Sequence, residues 1–209
     1  MLKKQLLIDA AGVLLHPRAT FESVGLRLPN SSYVLPLVVL DGVAFGAFLA
    51  SFAPRLILNQ MMDVIPSQQS NLSADTARII QLGLMPLAVA EALFSWVFLG
   101  ALMYIAGRLA GGERGIHRSM VPVGFSLLPL SLYYLVLFII SVYNPSFITS
   151  QTGAVTPIHL ARLAVLVWSS LLLGLGATNT FRIRPDVAVV AASIVNLIIY
   201  VLLNPGIMY

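Results

Sequence analysis

The segment from Tyr104 to Pro129 reads YIAGRLAGGERGIHRSMVPVGFSLLP. It sets Gly107, Gly111, Gly112 and Gly115 among Arg108, Arg114, His117 and Arg118, with a long apolar run on either side. Lys and Arg collect in the short cytoplasmic loops of membrane proteins, so this segment reads as an inner turn joining two transmembrane helices. Its reading fixes the class of the fold and the orientation of every other segment.

Composition agrees with that reading. Of 209 residues, 58% are hydrophobic and 10% charged, and the mean hydropathy is +0.91. Soluble domains carry about 25% charged residues, so a chain this apolar lacks the polar groups to cover a water-facing surface. The chain contains no cysteine, which leaves no disulfide framework and no thiolate metal site. The net charge of +4 does not indicate nucleic acid, because the basic residues sit at the ends of apolar runs.

The chain divides into an N-terminal segment, residues 1–30, and a membrane domain, residues 31–209. In the first, Leu2, Leu6, Leu7, Ala10, Val13 and Leu14 share a helical face, with Lys3, Lys4 and Asp9 elsewhere. This suits a short amphipathic helix in the membrane interface. Asp9 interrupts the apolar run, so the segment is expected to be retained rather than cleaved as a signal peptide. Pro17 starts a second amphipathic helix. There Phe21 and Val24 are expected to face lipid, and Arg18 and Arg27, with the lysines, anionic head groups.

Five spans follow, at about 33–54, 84–107, 120–143, 158–179 and 186–204, each near the roughly 20 residues that cross a bilayer core. Residues 59–78 are polar and are expected to form an external loop, from which Ser73 to Arg78 lead into the second span. Pro122 and Pro129 should bend the third span, since each lacks a backbone donor. One side of this arrangement holds nine Lys and Arg: Lys3, Lys4, Arg18, Arg27, Arg108, Arg114, Arg118, Arg182 and Arg184. The other holds Arg55, Arg78 and Arg162. The positive-inside rule puts the N-terminus in the cytoplasm and the C-terminus outside.

Several short runs together resemble the Yip1 domain family of polytopic membrane proteins. They are Pro17-Arg-Ala-Thr-Phe21 before the first span, the aromatic-small-Gly-Arg run ending in Gly111-Gly112, the basic Arg118, and Gly124-Phe125-Ser126-Leu-Leu-Pro129, which is similar to the family's Gly-Tyr-Ser-x-x-Pro. The resemblance extends from about residue 15 to 205. It implies five spans, a cytoplasmic N-terminus and a non-enzymatic role in membrane organisation or trafficking-like adaptor work. Eukaryotic members are associated with vesicle traffic and Rab-type GTPases. Their Asp-Leu-Tyr-Gly-Pro stretch is absent, and Phe125 stands in place of the tyrosine. The chain is therefore expected to be a compact member of a prokaryotic cell membrane, without a GTPase partner.

Asp41 and Glu91 fall inside the first and second spans, where ionisable groups are costly and mark functional sites by default. Antiparallel packing sets them about 9 Å apart in depth, and two acids are too few for a tight metal site. Glu91 lies near the depth of Asn196 and just below Arg162. One reading is therefore a structural Glu91–Arg162 ion pair with Asn196 attached, and Asp41 bonded to Ser126 or another hydroxyl. The other is a polar cavity lined by Asp41, Glu91, Arg162 and Asn196 that serves transport or lipid handling.

Small residues recur at four-residue spacing: Gly42, Gly46 and Ala50; Ser170, Gly174 and Thr178; Ala188, Ala192 and Asn196. Such stripes let helices approach closely, within one bundle or in a homo-oligomer through the first span. The glycine run does not follow a strand and lacks the phosphate-loop spacing, so it reads as a turn. Arg108, Arg114, His117 and Arg118 beside it form an inner basic cluster suited to anionic lipid head groups or an acidic partner. His16, His117 and His159 are too dispersed for a shared metal. No nucleophile elbow, HExxH motif or nucleotide signature appears, so no enzyme, cofactor or metal is expected.

The expectation is thus an all-α, five-span membrane bundle with interfacial N-terminal helices. Adaptor and cavity readings of its function stand side by side.

Overall fold

Backbone polar groups have no water to bond in a bilayer, so apolar runs of this length must satisfy them internally as helices. In the computed structural model, which describes residues 2–27, 30–62, 70–112, 115–144, 146–147 and 157–203, they do. The elements are α1 (Leu2–Leu15), α2 (Pro17–Arg27), a 3₁₀ turn (Ser31–Tyr33), α3 (Leu35–Met62), α4 (Ser70–Leu109), α5 (Ile116–Ser126), α6 (Leu128–Tyr143), α7 (Pro157–Phe181) and α8 (Pro185–Leu203). There is no strand among the described residues. Four stretches are long and apolar enough to cross a membrane: Leu35–Phe52, Arg78–Leu109, Ile116–Tyr143 and Pro157–Phe181. A fifth apolar stretch, Pro185–Ile198, is shorter.

Residues 59–78 depart from the loop expected there. α3 runs on to Met62 and α4 begins at Ser70, so most of the polar stretch is helical. Its polarity marks where the helices leave the apolar layer rather than where they end. α4 has 40 residues, or about 60 Å at 1.5 Å each, twice the thickness of a hydrocarbon core.

The third span is interrupted at one of its two prolines: Pro122 sits inside α5, and the break comes before Pro129. Pro129 has no N–H to offer Phe125, and α5 gives way to α6 at Leu127. Beside this break the Ser126 carbonyl accepts a bond from the Ser169 hydroxyl of α7 at 2.6 Å. The second span ends on the glycine run. Gly111 has φ +85, its N–H bonds the Arg108 carbonyl at 3.1 Å, and the Gly112 N–H bonds Gly107 at 2.8 Å. This is a Schellman stop, and the left-handed residue it needs is a glycine.

The small-residue stripes are used within the bundle. A side chain on Gly42 would meet the Val89 backbone of α4 at 2.6 Å, and one on Gly174 the Val189 backbone of α8 at 2.7 Å. Gly46 packs on Met85 and Ala88, and Ala188 and Ala192 are fully buried. The Gly42 stripe therefore faces α4 and is not a free face for a second copy. Large apolar residues such as Phe94, Leu87 and Val190 point outward instead, as lipid contact demands.

The N-terminal helices differ most from expectation. Phe21 and Val24, expected to face lipid, are 3% exposed. Phe21 sets its ring edge-on to Phe125, with centroids 6.0 Å apart, and abuts Gly176 of α7. Asp9 is also buried, on the same face of α1 as Leu6, Ala10 and Val13, while Leu7 is exposed. Arg27, expected to face head groups, donates to both Asp9 carboxylate oxygens at 2.8 Å. α1 and α2 thus fold as a hairpin onto the bundle. Arg18 remains at the surface, paired with Glu22.

Candidate functional site

Asp41, Glu91, Arg162 and Asn196 come from α3, α4, α7 and α8, and the structure brings all four to the wall of one cavity of about 130 Å³. Helical spacing adds partners on the same faces. Ser95 stands one turn beyond Glu91 on α4, Ser169 two turns beyond Arg162 on α7, and α6 contributes Tyr134. Leu99, Leu127 and Leu130 line the remaining wall.

Asp41 is 8% exposed and accepts a bond from the Ser131 hydroxyl at 2.9 Å. The expected hydroxyl partner is thus Ser131, one turn past the α5–α6 break. Ser126 instead donates to the Val123 carbonyl. Asn196 donates to the Ser170 hydroxyl at 2.9 Å, which ties α8 to α7. Glu91 and Arg162 lie close enough to attract each other. Ion pairs within 4 Å include Arg18–Glu22, Arg27–Asp9 and Arg184–Asp186. Glu91 and Arg162 both line the cavity. Among the described residues, no three His, Cys, Asp or Glu side chains are grouped so that they could hold a metal ion.

A second concavity, about 320 Å³, runs along the outside of the bundle between α7 and α8. Leu163, Val167, Leu171 and Leu197 form its apolar sides, and Ser170, Ser193 and Asn196 its polar strip. Leu166 and Asn196 belong to both concavities.

At the opposite end of the bundle, Gly107 and Gly112 lie under the Phe181 ring, and Gly25 of α2 is near Asn179. This gathers the basic residues of separate segments. Arg108, His117 and Arg118 are exposed there, as are Arg182 and Arg184; Arg114 lies outside the described residues. Arg108 folds back to bond the Gly112 carbonyl at 3.2 Å.

Sequence reasoning missed the cluster around Asp9. Besides Arg27, Asp9 accepts from the Tyr33 hydroxyl at 2.5 Å and from Gln5 at 3.0 Å. Burial alone would raise its pKa, but the bonds from Arg27, Tyr33 and Gln5 outweigh it and hold the carboxyl below its ordinary value. Burial, with the bond to Asp9, pushes the Tyr33 hydroxyl up to about 12. The available signal was spacing: Leu6, Asp9, Ala10 and Val13 form one i, i+3, i+4, i+7 stripe.

Comparison with curated proteins and with solved structures gives no significant match. The family model for the Yip1 domain matches residues 11–204, from within α1 to the end of α8. The two runs most like the family's, around Phe21 and Phe125, meet in the core. The chain is an integral membrane protein by its apolar helices and belongs to the Yip1 domain family.

Proposed function

We propose that this protein binds the polar group of a membrane lipid in its intramembrane cavity, as a non-enzymatic lipid-handling member of the Yip1 domain family. One observation carries the reading: four polar side chains, each costly to place in a membrane, converge from four helices on one cavity. The Glu91 carboxyl, the Arg162 guanidinium and the Asn196 amide line space for a few water-sized groups. In this reading α8 is a fifth span, the N-terminus is cytoplasmic, the C-terminus lies outside, and the host membrane is a prokaryotic cell membrane.

Purified protein in neutral detergent, melted with and without added phospholipid, tests the proposal. A ligand that binds only the folded state raises the melting temperature by mass action. Added phospholipid should raise it in the wild type, and less in Asp41→Asn, Glu91→Gln and Arg162→Gln. Equal shifts in all four proteins would remove the cavity from the account.

The adaptor reading draws on the exposed Arg108, His117 and Arg118, beside Arg182 and Arg184. These cations suit anionic head groups or an acidic protein segment at the inner face. If neutralising them shifts vesicle binding or partner capture while cavity variants do not, that reading takes precedence.

A further inference from the structure

We infer that Arg182 is a phosphate contact for an anionic phospholipid, at the end of the bundle opposite the cavity. The inference stands apart from the cavity. It rests on the reading above only for orientation, which turns this end toward the inner leaflet, and it commits the exposed cations there to lipid.

The backbone at Arg182 is strained. Among the described residues, Arg182 alone combines a positive φ, +57, with a side chain. Two helix stops lie side by side at this end, since Gly107 and Gly112 sit against the Phe181 ring. The stop after α4 has glycine at φ +85, while the stop after α7 has arginine in the left-handed conformation. Ile183, the next residue, is 9% exposed, as suits the apolar contact that follows such a stop. A Cβ in this conformation costs free energy that glycine does not lose. A cation at a helix C-terminus gains from the macrodipole, but less than the conformation costs. The turn itself would be made better by glycine, so the reason for arginine lies in what its exposed side chain can reach.

The surroundings point to lipid. Arg108, His117 and Arg118 are exposed at the same end, and together with Arg182 they suit an anion. Large apolar side chains are exposed between them. Leu109, beside Arg108, is 85% exposed, and Ile116, beside His117, and Val187, one residue past Asp186, are exposed as well. Cations interleaved with exposed apolar groups fit the boundary of a bilayer, with guanidinium groups at the phosphates and apolar groups among acyl chains. A water-soluble acidic segment would answer the charges and leave Leu109 in water. Arg184 is already held by Asp186 at 2.8 Å, so it has less to give than Arg182. A guanidinium can also take two phosphate oxygens at once.

The test melts the protein in neutral detergent with graded amounts of phosphatidylglycerol, and with phosphatidylcholine as the reference. Arg182→Gly relieves the strain and should raise the melting temperature in phosphatidylcholine by about 2–4 °C. It should also raise about fivefold the phosphatidylglycerol fraction that gives half of the anionic-lipid shift, the factor for one cation at an anionic surface. Arg182→Gln keeps the strain and removes the charge, so it should show the second effect without the first. Arg184→Gln should move the half-point by under about twofold. An unchanged half-point in both Arg182 variants overturns the inference. So does a lower melting temperature of Arg182→Gly in phosphatidylcholine, which would make Arg182 a structural cap. Stabilisation by polyglutamate but not by phosphatidylglycerol would give the face to an acidic protein segment and overturn it too. Asp41→Asn and Glu91→Gln should leave the half-point in place, so this contact and the cavity reading stand or fall separately.

Discussion

A single Nη2 of Arg27 donates to both carboxylate oxygens of Asp9, each at 2.8 Å, across 18 residues of sequence. The bond closes the α1–α2 hairpin, and the Tyr33 hydroxyl on the same carboxylate fastens that hairpin to the entry of α3.

Removing Arg27 should therefore loosen the N-terminal segment. The Asp9 side chain is 4% exposed and that of Arg27 38%, so the cost lies between those of a surface pair and a fully buried one, at about 2 kcal/mol. Arg27→Gln should lower the melting temperature and speed proteolysis within α1 and α2. Arg18→Gln, which breaks only an exposed i, i+4 pair, should change neither by much. Equal sensitivity of the two variants would show that the buried carboxylate does not hold the hairpin.

The same cluster sets a pH window. Asp9 has a lowered pKa in the folded state. Its contribution is present above the unfolded value of about 3.9 and is lost as pH falls through the lower folded value. Tyr33 is raised to about 12. Its contribution is whole below the unfolded value of about 10 and is lost as pH rises through the folded one. Docking of residues 1–27 should be flat between these limits and fail at both extremes. Asp9→Asn should remove the acid limb, as read by protease protection against pH.

Two glycines of the membrane domain make a paired test of close packing. Gly42→Ala would place a methyl group 2.6 Å from the Val89 backbone, and forced separation of α3 and α4 should cost about 1–3 kcal/mol. Gly83 has nothing within 4 Å, so Gly83→Ala should be neutral, or stabilising by up to about 1 kcal/mol through helix propensity. Thermal melts in detergent read both changes. A destabilising Gly83→Ala with a silent Gly42→Ala would invert the packing described.

The helix stop after α4 gives a second pair. Gly111→Ala puts a side chain at φ +85 and should cost about 1–2 kcal/mol. Gly115→Ala, with no positive φ and open space around it, should cost little. Similar melts for the two variants would show that the Schellman geometry does not hold the turn in place.

Within the cavity, Ser131→Ala leaves Asp41 without its hydroxyl donor and should cost about 1–3 kcal/mol. Asp41→Asn keeps an acceptor for Ser131 and should cost less. The reverse ordering would show that Ser131 does not support Asp41.

Much of this was legible in the sequence because the membrane imposes few solutions. Apolar length marked four of the spans, Pro129 marked the break in the third, and depth counting set Glu91 near Asn196 and Arg162 while leaving Asp41 about 9 Å away in depth. What escaped has physical reasons. Asp9 was assigned outward because a lone charge on a short helix belongs in water by default, and its partners Arg27 and Tyr33 lie in other elements. Phe21 and Val24 look alike whether they face lipid or protein, since both surroundings are apolar. Ser131 and Tyr134 carried no signal without the helix face on which α6 meets α3, and the α7–α8 groove depends on how two helices diverge.

The division of the third span at Leu127 has a consequence for what lies beneath the cavity. On the side of α5, Val121 to Ser126 are buried without exception, and Phe125, Met103 and Leu173 are wholly enclosed. This half is closely filled. The polar cavity lies on the other side of the break, above Leu99 and Leu127. A polar group bound in the cavity would rest on this filled half as on a floor.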